Sequence, residues 1–206
     1  MGTTPPGAEA LETMAQILRG GGVVVYPTET FYGLGAHCRH PGALERIYAL
    51  KARPRDLPLL CLLDGLPRLG ELVDRVPPWA EALTRAFWPG PLTLVLPARP
   101  GLHPALLGPA GGVAVRWTSH PLAQGLVSRV GAPVVGTSAN PSGRPAPVRV
   151  TELEPSVARG VDGILDGGEL PGQNPSTLVD CTAWPPRLLR EGAVSRQRLE
   201  SWVRLG

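Results

Sequence analysis

Apolar positions along this chain switch between a helical and a strand-like period in short, closely spaced blocks. From Ala8 to Arg19 they recur at helical spacing, with Leu11, Ile17 and Leu18 inward. Gly20-Gly21-Gly22 stops that helix before the unbroken run Val23-Val24-Val25-Tyr26, which reads as a buried strand. Further strands are predicted at 59–63, 92–96, 113–116, 134–137, 163–165, 177–180 and 187–189, and helices over 41–50, 66–73, 79–87, 121–130, 157–160 and 196–204. This alternation predicts an α/β domain around one twisted sheet. No repeat, linker or break in composition divides residues 1–206, so a single domain is expected.

Composition narrows the classes. The 43% hydrophobic content of 206 residues suffices for a sizeable core. The 26 glycines and 25 prolines punctuate apolar runs rather than forming tracts, which indicates turns and not disorder. A net charge of +3 gives a mild pull on nucleotides or nucleic acid, well short of a basic tail. Cys38, Cys61 and Cys181 are odd in number, widely spaced and without a C-x-x-C, so neither a disulfide framework nor a zinc site is expected. The absence of a signal peptide, an apolar stretch of membrane length and a myristoylation pattern predicts a cytoplasmic, non-membrane protein.

One basic residue changes the picture. The chain holds 20 Lys+Arg, and Lys51 is its single lysine. An ammonium is a compact, hydrated charge that reaches phosphate oxygens, whereas a guanidinium is a planar fork. Lys51 opens Lys51-Ala52-Arg53-Pro54-Arg55, three cations in five positions leaving a helix with Leu44, Ile47 and Tyr48 on one face. The Arg53-Pro54 step is expected to end that helix. Cations complement any helix C-terminus, but three together on a turn also make a site for a polyanion such as a triphosphate.

Standard phosphate cradles are excluded. Gly65-x-x-x-x-Gly70 is followed by Glu71 where a P-loop needs lysine, and Gly33-x-Gly35 is followed by Cys38 where a dinucleotide fingerprint needs a small residue. Gly136-Thr137-Ser138 begins like a nucleophile elbow, which raises a serine hydrolase with His103 or His120 as base. Asn140 and Pro141 then stand where the elbow must close on glycine. The polar segments leaving apolar strands carry more. Thr28, Thr30, Ser138 and Asn140 lie in such segments, Arg116 ends the strand Val113-Ala114-Val115, and Arg190 follows Leu188-Leu189. Local turn bonding accounts for each hydroxyl singly, whereas their gathering at strand ends is what ligand sites of open α/β sheets require.

PTETFYGLG (27–35), KARPRDLPL (51–59), WPGPLTLVLP (88–97), VAVRWTSHP (113–121), GTSANPSGRPAP (136–147), STLVD (176–180) and LLREGAVS (188–195) resemble, in order, the motifs of the YrdC family of threonylcarbamoyl-AMP synthases. The resemblance covers about Val23 to Ser195 and is closer to the family's short, single-domain form. It implies a mixed sheet flanked by helices with a concave basic cleft. It also implies an adenylyl transfer: L-threonine and bicarbonate give N-carboxythreonine, whose carbamate attacks the α-phosphate of ATP. Pyrophosphate leaves, and threonylcarbamoyl-AMP passes to proteins that modify a tRNA adenosine. On this pattern Lys51, Arg53, Ser138 and Asn140 are the catalytic, ATP-binding set together with Arg190, and Arg116, Thr30 and Ser176 bind threonine. Mg²⁺ is implied with ATP, its protein ligand unnamed. Two positions depart: Leu57 replaces a frequent asparagine, with Arg55 as a neighbour placed to compensate, and Leu62 stands where a histidine often approaches the amino acid. The rival from another class is a module that binds double-stranded RNA or assists ribosome assembly without turnover, for which the same cations would serve.

Overall fold

The computed structural model describes residues 7–108, 110–172 and 174–206. The expected domain range of 1–206 therefore extends over residues 1–6, 109 and 173, which lie outside the described residues. In chain order the elements are α1 (Ala8–Arg19), β1 (Val23–Pro27), β2 (Tyr32–Ala36), α2 (Pro41–Lys51), β3 (Cys61–Leu63), α3 (Pro78–Phe87), β4 (Leu92–Pro97), β5 (Gly112–Trp117), α4 (Pro121–Val130), β6 (Val134–Val135), β7 (Thr137–Ser138), α5 (Pro155–Gly160), β8 (Gly163–Ile164), β9 (Thr177–Asp180), β10 (Arg187–Arg190) and α6 (Arg196–Glu200).

The α/β class and the mixed strand directions agree with expectation, but the single twisted sheet is two. One has four strands in the order β7-β2-β1-β8, the other six in the order β10-β9-β4-β5-β3-β6. One stretch of chain serves both. Val134 and Val135 pair with Leu62 and Cys61 in the large sheet, and Thr137 and Ser138 pair with Leu34 and Gly33 in the small one. Gly136 is the crossing point, where a Cβ would lie 2.5 Å from Leu62 Cγ. A side chain there would force the two sheets apart.

The unbroken apolar runs have one cause: strands with core on both faces. Val23 and Val25 of β1 enter the larger core with α2, while Val24 and Tyr26 enter a second core under α1 and α4. The second core is closed by Leu11, Ala15 and Leu18 of α1 against Ala123, Leu126 and Val127 of α4. Alternation at period two sends Cys61 and Leu63 to the first core and Leu62 to the second.

Strand β2 is not among the predicted strands, and its Gly33 and Gly35 lower strand propensity. Close approach explains them: a Cβ on Gly35 would stand 2.6 Å from Tyr26 Cε1. The helix expected over 66–73 is a 3₁₀ turn over Leu66–Glu71. Helix α2 runs to Lys51 and ends in left-handed Ala52 (φ 45°), one residue before the predicted Arg53-Pro54 stop.

Candidate active site

A cleft of about 720 Å³ lies over one face of the large sheet. Its floor follows period two. Thr93 and Val95 of β4, Ala114 and Arg116 of β5, and Leu178 and Asp180 of β9 point into it, while Leu94, Val115 and Val179 point into the core. Gly112 and Ala114 give the cavity its depth. At the edge, the β9–β10 register shifts between Leu188 and Arg190, so that Leu189 and Arg190 both line the cleft. The walls come from the β1–β2 hairpin, the 53–60 segment and β7.

Four arginines line this space, and one of them, Arg187, is paired with Asp180 (2.9 Å). Arg53 donates through Nε to Leu57 O (3.0 Å) and through a terminal nitrogen to Pro58 O (3.0 Å), so the segment after α2 is folded around its own guanidinium. Arg190 grips Ser176 O through Nε (3.2 Å) and Nη2 (2.9 Å). Burial, followed by repulsion from Arg116 and Arg53, pulls Arg190 below the usual arginine range, and burial does the same to Arg53. Arg116 is 3% exposed, and its buried Nε has no hydrogen-bond partner. The closest carboxylate oxygen paired with it is Glu29 Oε1 at 3.7 Å, beyond hydrogen-bond reach.

Hydroxyls stand among these cations. Thr28 Oγ1 donates to Phe31 O (2.7 Å) and takes the Thr30 N–H (3.3 Å), the local turn bonding expected of such residues, and Thr30 still lines the cleft. Ser176 Oγ shares a 2.8 Å hydrogen bond with Thr93 Oγ1. Thr93 was missed by the motif reading; its signal is a lone hydroxyl in the apolar strand Leu92-Thr93-Leu94-Val95-Leu96. Ser138 also lines the cleft.

Lys51 and Asn140 are placed differently from Arg53 and Ser138. Lys51 is 2% exposed and stands behind the wall, with Nζ donating to Ser138 O (2.5 Å) and Asn140 O (2.7 Å). Its own carbonyl accepts from Ser142 N–H (2.7 Å), so the residue braces the 138–142 turn at both ends. Burial, assisted by the charge of Arg53, pulls the ammonium down to about 8. Asn140 accepts from Lys51 Nζ through Oδ1 (3.3 Å) and donates through Nδ2 to Arg144 O, closing the same turn.

Three expectations are corrected. Leu62 is fully buried, packed against Gly136 in the second core, and does not line the cleft; Leu60 does. Arg55 pairs with Glu45 and lies over the Tyr48 ring at 4.7 Å, so it does not reach in to compensate for Leu57. Among the described residues neither histidine of the hydrolase reading bonds Ser138: His103 Nδ1 accepts from Ala105 N–H (3.2 Å), and His120 Nδ1 is buried without a partner. Leu57 does face the cleft, 45% exposed at its mouth.

An α/β domain whose cleft sets three guanidiniums among hydroxyls, besides the Arg187 already paired with Asp180, is built to bind a small polyanion. Comparison with known proteins gives the family: the chain belongs to the Sua5, YciO and YrdC family, described as "Telomere recombination", whose profile matches residues 16–192. Threonylcarbamoyl-AMP synthase of Bacillus subtilis is 38% identical over 92% of this chain and 55% of its own length. The enzyme of the same name from Pyrococcus abyssi is 39% identical over 92% of this chain and 56% of its own. The structure of P. abyssi Sua5 complexed with L-threonine superposes with a TM-score of 0.90 at 36% identity, covering 98% of this chain and 61% of that one. The chain thus spans about half the length of the two curated relatives.

Proposed function

We propose that this domain forms threonylcarbamoyl-AMP and pyrophosphate from ATP, L-threonine and bicarbonate; its relatives are named threonylcarbamoyl-AMP synthase. The observation that carries the reading is Arg116: a desolvated guanidinium facing a cleft, with an unpartnered donor, is costly unless a bound anion completes it. Its fork suits the threonine carboxylate, and Thr30 and Ser176 suit the amine and hydroxyl.

Arg53 and Arg190 face the same space from the other walls and neutralise the triphosphate, with Ser138 as a neutral donor beside them. The carbamate oxygen attacks the α-phosphate in line and pyrophosphate departs, a reaction that needs positioning and charge rather than a protein nucleophile. Lys51 and Asn140 act on the reaction by holding Ser138, a role their burial supports. No cluster of three acidic, histidine or cysteine side chains that could hold a metal is present among the described residues. A magnesium carried by the triphosphate would keep phosphate oxygens and water as its ligands. Such an ion would neutralise phosphate charge, with the exposed Asp56 at the cleft wall as the available carboxylate.

The product would pass to proteins that modify a tRNA adenosine. Recessed cations support a small ligand over an RNA helix, which is contacted across a broad surface. No helix among the described residues is long and apolar enough to cross a membrane. Pyrophosphate release measured with each substrate omitted in turn tests the proposal. Release requiring ATP, threonine and bicarbonate together is expected; release indifferent to threonine overturns it.

A further inference from the structure

The glutamate of Pro27-Thr28-Glu29-Thr30 has no part in the scheme above, yet its carboxylate is held in place. Glu29 Oε2 accepts from Thr118 Oγ1 at 2.6 Å, Oε1 accepts from Ser119 N–H at 3.5 Å, and the side chain is 12% exposed. Both donors follow directly on β5, the strand that carries Arg116. Glu29 sits on the β1–β2 turn of the small sheet, so this contact ties the two sheets together beside the cleft. It also sets an anion 3.7 Å from Arg116 Nε, the nitrogen left without a partner.

We propose that Glu29 is a positioning residue for Arg116: fastened by Thr118 and Ser119, it faces the Nε edge of the guanidinium and turns the two terminal nitrogens toward the cleft. A guanidinium offers five N–H donors in a rigid plane, so fixing one edge fixes the direction of the others. A small rotation of the carboxylate closes the 3.7 Å gap to a hydrogen bond with or without ligand, and the orphan donor is then satisfied. Charge alone predicts the reverse sign. If Glu29 acted only as a nearby anion, removing it would strengthen the hold of Arg116 on a carboxylate. Orientation predicts that removing it weakens that hold.

The ligand arm of the test rests on threonine being the substrate; the spectroscopic arm does not. Nitrogen-15 spectra of arginine Nε–H groups, with Arg116 assigned from the Arg116→Lys protein, report exchange at that hydrogen without any ligand. The proposal expects a slowly exchanging Arg116 Nε–H in the parent, faster exchange in Glu29→Ala, and recovery in Glu29→Gln, whose amide oxygen still accepts. Calorimetry with L-threonine is expected to show affinity falling about tenfold or more in Glu29→Ala, the scale of a lost charged hydrogen bond. Glu29→Gln should fall less, and ATP affinity should stay within about twofold in both.

Unchanged exchange across the variants, or tighter threonine binding in Glu29→Ala, overturns the proposal. A parent that shows the exchange pattern but does not bind threonine refutes the substrate reading and leaves the positioning role standing. Should Glu29→Ala fail to fold, Thr118→Val frees the carboxylate from the other side and is read by the same two measurements.

Discussion

Lys51 Nζ and Ser138 O lie 2.5 Å apart, and that contact places the only lysine of the chain beneath the cleft wall. The same nitrogen reaches Asn140 O at 2.7 Å, so one lysine at the end of α2 sets the path of the turn that presents Ser138. Removing it strands two carbonyls. Lys51→Met is expected to lose about 1–3 kcal/mol for each acceptor left unpaired, offset by the relief of a buried charge. Lys51→Arg is expected to overpack a slot that leaves the residue 2% exposed, at about 1–3 kcal/mol. Denaturant melts give the stabilities; wild-type stability in Lys51→Met would show that the brace is not structural.

The lowered pKa of Lys51 gives a pH signature. The folded value is about 8 against an ordinary 10.5, so between these limits the unfolded chain binds more protons than the folded one. Stability therefore rises with pH through this window, by at most about 1.4 kcal/mol per pH unit, and the penalty of the buried charge is fully present below pH 8. Cys38 and Cys181 within this window, and Tyr26 and Tyr32 near its top, all raised by burial, oppose the Lys51 contribution. Their contribution cancels when wild type is compared with Lys51→Met. The difference between the two proteins should move in favour of wild type from pH 7.5 to pH 9.5, and a flat difference would contradict the assignment.

Arg116→Lys replaces a fork with a point charge. Threonine binding is expected to weaken by about 1.5–3 kcal/mol while ATP binding changes little. Equal losses for the two ligands in calorimetry would mean that the residue serves both.

Leu57 and Leu62 are expected to separate cleanly. Leu57→Asn at the exposed cleft mouth should cost under about 0.5 kcal/mol, as surface changes do. Leu62→His buries an imidazole in an apolar core against Gly136 and should cost about 1–3 kcal/mol without improving threonine binding. Thermal melts of the two single variants decide the matter.

Ala52 holds a left-handed conformation (φ 45°) at the C-cap of α2, with its N–H donating to Ala49 O at 3.2 Å. Glycine adopts that conformation without penalty, so Ala52→Gly is expected to gain about 0.5–1 kcal/mol in a denaturant melt. A loss would show that alanine's smaller unfolded-state entropy outweighs the strain.

Periodicity made much of this fold legible. Helices α1 and α4 fall at the expected residues because their apolar spacing and flanking glycines agree, and strand β9 because of its apolar spacing. Strand β2 was not legible, since its glycines answer to the Tyr26 ring, a partner that local propensity does not register. Nor was the division into two sheets, which rests on the crossing at Gly136.

At the site, the hydroxyls and arginines read at strand ends line the cleft, but side-chain direction was harder to read. Lys51 continues the stripe Leu44, Ile47, Tyr48 at helical spacing, which places it on the buried face of α2, whereas its charge points the sequence reading to a ligand's phosphates. Leu62 followed from a motif position, whereas alternation within β3 sends it to the opposite core from Cys61. Thr93 and Glu29 act through partners from distant segments, Ser176 and Thr118, that no local pattern connects to them.

With its one lysine enclosed, the folded protein offers reagents no side-chain amine at its described surface. Every positive side chain that meets solvent there, apart from histidine, is a guanidinium, whose proton stays on throughout the range where enzymes work. The basic character of this surface is thus insensitive to alkali and to acylation alike. Chemical modification of Lys51, if it occurs, measures how often the 138–142 turn lifts away from α2, making the residue a built-in gauge of local opening.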